Sequence, residues 1–250
     1  MTDSSPQKLV IGWLYGAKMN IYGDRGNVLA LQKRAEWRGI EVEVRDIGLG
    51  EEIPDDIDIF FWGGGQDQEQ IPVAKDLAGT KGEALRAAVE NGAAMLAICG
   101  GYQLLGHGYQ PHDGAFLPGI GLFDASSVAG EHRFIGNVVI ESENFGTLVG
   151  FENHSGLTTL KGDSQPLGKV VVGHGNNGAD GTEGAVYKNA IGCYLHGALL
   201  PKNPHLTDWL LRAGLTHRYG EHVQIASLGD TLEQAAHKNA YDRAKIAHSK

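Results

Sequence analysis

The sequence is poor in sulfur and in basic charge, and it contains no long apolar run. Two cysteines in 250 residues, Cys99 and Cys193, build no disulfide framework and no metal-ligand spacing, which predicts a reducing, cytoplasmic compartment. No stretch approaches the roughly 20 apolar residues of a membrane-spanning helix. Met1 to Gln7 is polar with no apolar signal core, so stable membrane insertion is not expected. Lys and Arg number 21 against 30 Asp and Glu, a formal net charge of −9. No basic block offsets that deficit, which argues against nucleic acid as a partner. The chain nowhere contains Gly-x4-Gly-Lys-Ser/Thr, and Gly168-Lys169 is followed by Val170, so it shows no ATP site. His107 and His112 lack the cysteine or acidic companions of a zinc site, and no bound metal is expected.

Glycine, by contrast, is abundant. The 37 glycines are spread between apolar runs, as many tight turns around a sheet require. Residues 9–15, 41–45, 57–62 and 95–98 read as strands, and 28–38 and 82–90 as helices closed by Gly39 and by Asn91-Gly92. Strands alternating with helices predict an α/β fold, a doubly wound, mostly parallel sheet flanked by helices, with functional groups at the strands' carboxyl ends. Beyond Gly106 the pattern turns to short strands at 134–140, 146–150, 170–173, 184–187 and 191–195. Helices follow at 204–214 and 231–247, the last with acids early and bases late. No linker divides the chain. Residues 8–205 read as one domain and 206–250 as a helical extension of the same globule.

The chemistry centres on Met95-Leu96-Ala97-Ile98-Cys99-Gly100-Gly101-Tyr102-Gln103. An apolar strand stops at a cysteine, and a glycine pair leads into a helix. Such an elbow lifts one side chain out at the top of a sheet, and a helix N-terminus favours a thiolate there. Gly63-Gly64-Gly65 ends an earlier strand of the same sheet, so the backbone of Gly64 and Gly65, with Gly100, is the candidate oxyanion hole. A cysteine nucleophile needs a base, and His196, after the strand Ile191-Gly192-Cys193-Tyr194-Leu195, is the best candidate. His154, in Glu152-Asn153-His154-Ser155-Gly156, is second. Gly173-His174-Gly175-Asn176-Asn177-Gly178 fits a dinucleotide pattern but leads into no helix and is set aside. Cys193, inside an apolar strand, reads as a packed thiol.

With these residues placed, the sequence resembles the class I glutamine amidotransferases, in their cobyric-acid-synthase-like branch. Five segments carry the resemblance: residues 19–27, Gly63-Gly64-Gly65-Gln66-Asp67-Gln68-Glu69-Gln70, residues 98–103, residues 152–156 and Gly192-Cys193-Tyr194-Leu195-His196-Gly197. The resemblance implies that Cys99 attacks the side-chain amide of L-glutamine, that His196 serves as base and acid, and that Arg133 and Gln103 hold the substrate. Read without it, Arg133 is equally an edge-strand surface charge. The resemblance further implies a heterodimer with a Mur-ligase-like synthetase subunit, which would carry ATP and magnesium and amidate D-glutamate of the peptidoglycan stem. The competing readings are the amidotransferase part of a cobyrinic or cobyric acid amidating system and a catalytically silent, glutamine-binding regulatory subunit. One departure stands out. Most class I members place a glutamate two residues after the histidine, and here Gly197-Ala198 follows His196. The orienting acid must then come from another part of the chain, with Glu152 the first candidate, or from a partner subunit; otherwise the pair works without one.

Overall fold

A computed structural model describes residues 6–162, 164–221 and 223–248. Its centre is a six-stranded sheet whose strands, from one edge to the other, run β11-β12-β4-β3-β1-β2. These are β1 (Lys8–Leu14), β2 (Glu41–Ile47), β3 (Ile59–Trp62), β4 (Ala94–Ile98), β11 (Ala185–Tyr187) and β12 (Ala190–Cys193). All neighbours pair in parallel except the edge strand β11. Every residue of β3, β4 and β12 is buried, which explains why these strands are continuous apolar runs: a parallel strand covered on both faces has no solvent side to mark with polar residues. Helices α1 (Arg25–Glu36), α2 (Asp67–Leu77), α3 (Thr80–Glu90) and α4 (Gly100–Leu105) follow β1, β3 and β4. The doubly wound expectation holds for this sheet.

The register brings the functional loops together. Leu14 pairs with Trp62, Trp62 with Ala97 and Cys193 with Ile98. The chain therefore leaves β1, β3, β4 and β12 at one level, into the 19–24 loop, Gly63-Gly64-Gly65, Cys99 and His196.

A second, mostly antiparallel sheet was not anticipated. It comprises β5 (Gly108–Gln110), β6 (Leu117–Pro118), β7 (Ala125–Ser142), β8 (Gly146–Leu160), β9 (Gly168–Val172) and β10 (Thr182–Glu183). The short strands expected at 134–140 and 146–150 are parts of one long hairpin, β7–β8, whose register shifts between Ala129 and Phe134. That irregularity coincides with the polar run Glu131-His132-Arg133, which hides the continuity of β7 from any pattern of alternation. The 152–156 motif lies within β8. Helix α2 was missed as well, since its first turns are polar and it contains Pro72.

The chain ends in α5 (Pro204–Tyr219) and α6 (Thr231–His248). Buried Arg34 of α1 meets both Asp208 of α5 and Asp230, just before α6, at 2.8 and 2.6 Å, tying three helices to one guanidinium. Tyr241 and Ala244 of α6 pack on Val139, Val149 and Val172 of the second sheet. Among the described residues no helix is long and apolar enough to cross a membrane.

Candidate active site

Cys99 sits between β4 and α4 with φ 52° and ψ −106°. A non-glycine residue held at positive φ stores strain and needs support from its surroundings. The support is visible: the Cys99 N–H donates to the Cys193 carbonyl at 2.8 Å, and its own carbonyl accepts from the Gln103 N–H at 2.9 Å. The turn also needs glycine behind it, because a Cβ on Gly101 would come within 2.8 Å of the Trp62 ring. The side chain that emerges is 7% exposed.

His196 follows β12 and is fully buried. Its backbone pairs with Phe151 of β8, donating at 2.8 Å and accepting at 3.2 Å, so the histidine is fixed where the two sheets meet. A Cβ on Gly64 would lie 3.0 Å from His196 Cε1 and 3.3 Å from Cys99 Cβ. Both side chains thus close on the same point of backbone. Tyr22 covers the imidazole edge-on, with ring centroids 5.0 Å apart.

Behind the imidazole stands Asp24, from the loop after β1. Its Oδ1 accepts from His196 Nδ1 at 3.4 Å, and its Oδ2 accepts from the Gly64 N–H at 2.7 Å. Both residues are fully buried. Burial alone would lower the His196 pKa, but the charge on Cys99 and the hydrogen bond to Asp24 together raise it to about 10. Its Nε2 makes no hydrogen bond among the described residues. A carboxylate of this chain thus stands beside the imidazole, although none follows His196 in the sequence. Glu152, the first candidate for that role, is instead engaged by His174 Nδ1 at 2.6 Å and by the His174 and Gly175 N–H groups at 3.0 and 3.2 Å.

A cleft of about 360 Å³ opens over Cys99, lined also by Gly65, Gln103, Tyr109, Arg133 and His154. Gln103 donates through Nε2 to the Tyr194 hydroxyl at 3.1 Å, and its Oε1 has no partner among the described residues. His154 donates from Nδ1 to the Gly156 carbonyl at 2.8 Å and stacks on Tyr194 at 3.7 Å. Burial pushes its pKa down to about 3. The ring is therefore neutral, with an Nε2 lone pair that has no partner among the described residues, and is a poorer proton carrier than His196. Arg133, exposed on β7, donates to Asn153 Oδ1 at 3.0 Å at the rim. Of the candidate oxyanion donors, Gly64 has its N–H turned to Asp24, Gly65 lines the cleft together with Cys99, and Gly100 follows Cys99 in the chain. Cys193 is buried, and desolvation raises its thiol well above the usual value, as a packed cysteine should show. A larger cavity, about 870 Å³, lies elsewhere, beside Arg86 and Lys188; none of the candidate residues reaches it.

A model of the CobB/CobQ-like glutamine amidotransferase domain matches residues 10–204. The chain belongs to that family. Two relatives match across nearly its whole length. The lipid II isoglutaminyl synthase (glutamine-hydrolyzing) subunit GatD of Staphylococcus aureus is 44% identical over 238 residues, covering 95% of this chain and 96% of that one. The subunit of the same name from Streptococcus pneumoniae is 42% identical over 232 residues, covering 92% and 89%. Among solved structures, that of PurLQS from Thermotoga maritima superposes with a TM-score of 0.58 at 16% identity, over 86% of this chain and 99% of that one; at that identity the likeness concerns the fold. The chain is accordingly a glutamine amidotransferase, a glutamine-hydrolysing enzyme. Sequence reasoning identified the family and singled out Cys99 and His196, which the structure brings to one site, and missed the place of Asp24 beside the imidazole, although Asp24 lies in one of the five segments that carried the resemblance. The only local signal was a polar, glycine-bearing loop at the carboxyl end of β1.

Proposed function

We propose that this chain hydrolyses L-glutamine through a Cys99 thioester and delivers the ammonia to a Mur-ligase-like synthetase subunit, which uses ATP and magnesium to amidate D-glutamate in lipid II. The observation that carries the chemistry is the convergence of Cys99, His196 and Asp24 on Gly64 at the carboxyl ends of β1, β3, β4 and β12. The two near-full-length relatives named as lipid II isoglutaminyl synthase subunits support the acceptor and the partner.

In this reading the Cys99 sulfur attacks the carboxamide carbon, and the developing oxyanion is met by the N–H groups of Gly65 and Gly100. His196 Nε2, which has taken the thiol proton, gives it to the departing nitrogen, and ammonia leaves. Water then attacks the thioester while His196 takes up a proton from it; the C–S bond breaks, His196 returns that proton to the sulfur, and glutamate is released with the thiol restored. Asp24 keeps the Nδ1–H tautomer and stabilises the imidazolium. Arg133 and Gln103 hold the substrate, Arg133 by its carboxylate. The orienting acid in this reading is Asp24 of this chain, 3.4 Å from His196 Nδ1, and the partner supplies the acceptor chemistry.

The test is to isolate whatever co-purifies with the chain and to assay the pair for ATP-dependent amidation of lipid II. Glutamine should support amidation by the wild-type pair, and a Cys99→Ser pair should work with ammonium chloride but not with glutamine. Failure of the wild-type pair to amidate lipid II with either nitrogen source contradicts the proposed acceptor.

A further inference from the structure

Only two ionised side chains line the cleft over Cys99 among the described residues: Arg133, and Asp67 at the start of α2. They are opposite in sign and do not pair with each other. Asp67 forms no ion pair among the described residues, and Tyr109 lines the same cleft. Tyr109 is buried, 3% exposed, at the start of the second sheet. Burial, then the charge on Asp67, raise its phenol above the usual value. A single aromatic ring thus shares the cleft wall with the nucleophile, the carboxylate and the guanidinium. The remaining polar groups of the wall are biased in one direction. Gln103 donates its Nε2 to the Tyr194 hydroxyl, and its Oε1 is an acceptor without a donor among the described residues. His154, neutral and with Nδ1–H committed to Gly156, presents Nε2 likewise as an acceptor.

A cleft with one cation, one anion and spare acceptors fits a ligand that carries a carboxylate, an ammonium group and further N–H donors. We propose that Asp67, which shares the cleft wall with Tyr109, receives the α-ammonium group of the substrate opposite Arg133 on its α-carboxylate, so that the site selects free amino-acid zwitterions. This rests on the glutaminase reading above and adds a specificity determinant to it. A side-chain amide within a peptide, or one lacking the ammonium group, would leave Asp67 without its counter-charge and be turned over poorly. Helix α2 explains why the carboxylate is placed there: an acid in the first turn is favoured by the helix dipole, and the helix begins directly after the Gly63-Gly64-Gly65 turn beside the thiol.

The experiment compares glutamine with glutaramate, which keeps the carboxamide and the carboxylate and replaces the ammonium group by hydrogen. Both are assayed with the full-length wild type, Asp67→Asn and Tyr109→Phe. The wild type should prefer glutamine in kcat/KM by about tenfold or more, the factor that about 1.4 kcal/mol of selective interaction supplies. Asp67→Asn should shrink that preference to within about threefold, through KM for glutamine, while glutaramate hydrolysis stays within about twofold of wild type. Tyr109→Phe should shrink it in part. A merely structural Asp67 would lower both substrates together. That result, or an undiminished preference in Asp67→Asn, overturns the assignment. Because Asp67 is exposed, the variant should keep the wild-type melting temperature; if it does not, Asp67→Ser, which retains a polar first turn, replaces it. A wild type that hydrolyses glutamine without preferring it overturns this inference alone, whereas one that hydrolyses neither amide contradicts the glutaminase reading as well.

Discussion

Asp24→Asn isolates the group that orients His196. The asparagine is close to isosteric, and its side-chain oxygen can still accept from the Gly64 N–H that Asp24 now holds at 2.7 Å. Its amide NH2 then faces His196 Nδ1 and disfavours the Nδ1–H tautomer, so that the Nε2 needed for proton transfer is wrongly protonated in the neutral ring. The negative charge that stabilises the imidazolium is lost too. Amidating the acid of a related triad costs about 10⁴ in kcat. Here the Nδ1 to Oδ1 separation is 3.4 Å, longer than a strong charge-assisted hydrogen bond, and Cys99 outweighs Asp24 in raising the His196 pKa. A loss of about 10²-fold in kcat, some 2.7 kcal/mol in barrier, is therefore expected, with KM for glutamine little changed. The pH profile adds an independent sign. Asp24 raises the pKa of His196, so its removal lowers it, and the alkaline limb of kcat should move to lower pH. The assay is glutamate release by the purified chain between pH 6 and pH 10. A kcat within threefold of wild type, with the alkaline limb in place, would refute the role of Asp24.

Cys99→Ser and His196→Ala should each abolish measurable glutamine hydrolysis with the fold retained, since nucleophile and base act as a unit; silencing by His154→Ala at full activity of His196→Ala would reverse the two histidines. Arg133→Ala should raise KM for glutamine about tenfold or more with a small change in kcat, and an unchanged KM would return Arg133 to the status of a surface charge. Glu183 is fully buried beside Glu152, and burial pushes its carboxyl up to about 8 although the Tyr194 N–H opposes the shift. The folded chain therefore holds a proton that the unfolded chain gives up near the ordinary carboxylate value. Stability should fall as pH rises from about 4.5 to 8, by on the order of a few kcal/mol from this group. Glu183→Gln should flatten that slope in denaturant titrations at pH 5 and pH 8.5, and equal slopes for variant and wild type would contradict a proton on Glu183.

The residues legible in the sequence were those whose role is set by their own strand. Cys99 and His196 each end an apolar run that must be buried on both faces, and a polar residue at the end of such a run emerges at the sheet's carboxyl edge wherever the strand lies in the order. Asp24 is different in kind. It lies 172 positions from His196, in a loop with no periodicity, and reaches the imidazole only because β1, β3, β4 and β12 are in register. Glu152 failed as a substitute for the same reason. Its place in the middle of β8, where it points to the 173–175 loop, depends on pairing with β7 across an irregular register. The second sheet was obscured by that irregularity, and α2 by polar residues and Pro72, which mask helical periodicity when only one face of a helix is buried.

The claim on which the rest depends is that Cys99 carries the glutamyl group. The direct measurement is the mass of the chain, acid-quenched during turnover of glutamine, followed by peptide mapping. The wild type should carry one glutamyl adduct per chain, on the peptide containing Cys99 and labile to hydroxylamine as a thioester is, and Cys99→Ser should carry none on that peptide. A steadily turning-over enzyme with no adduct at Cys99, or with the adduct on another residue, would contradict it.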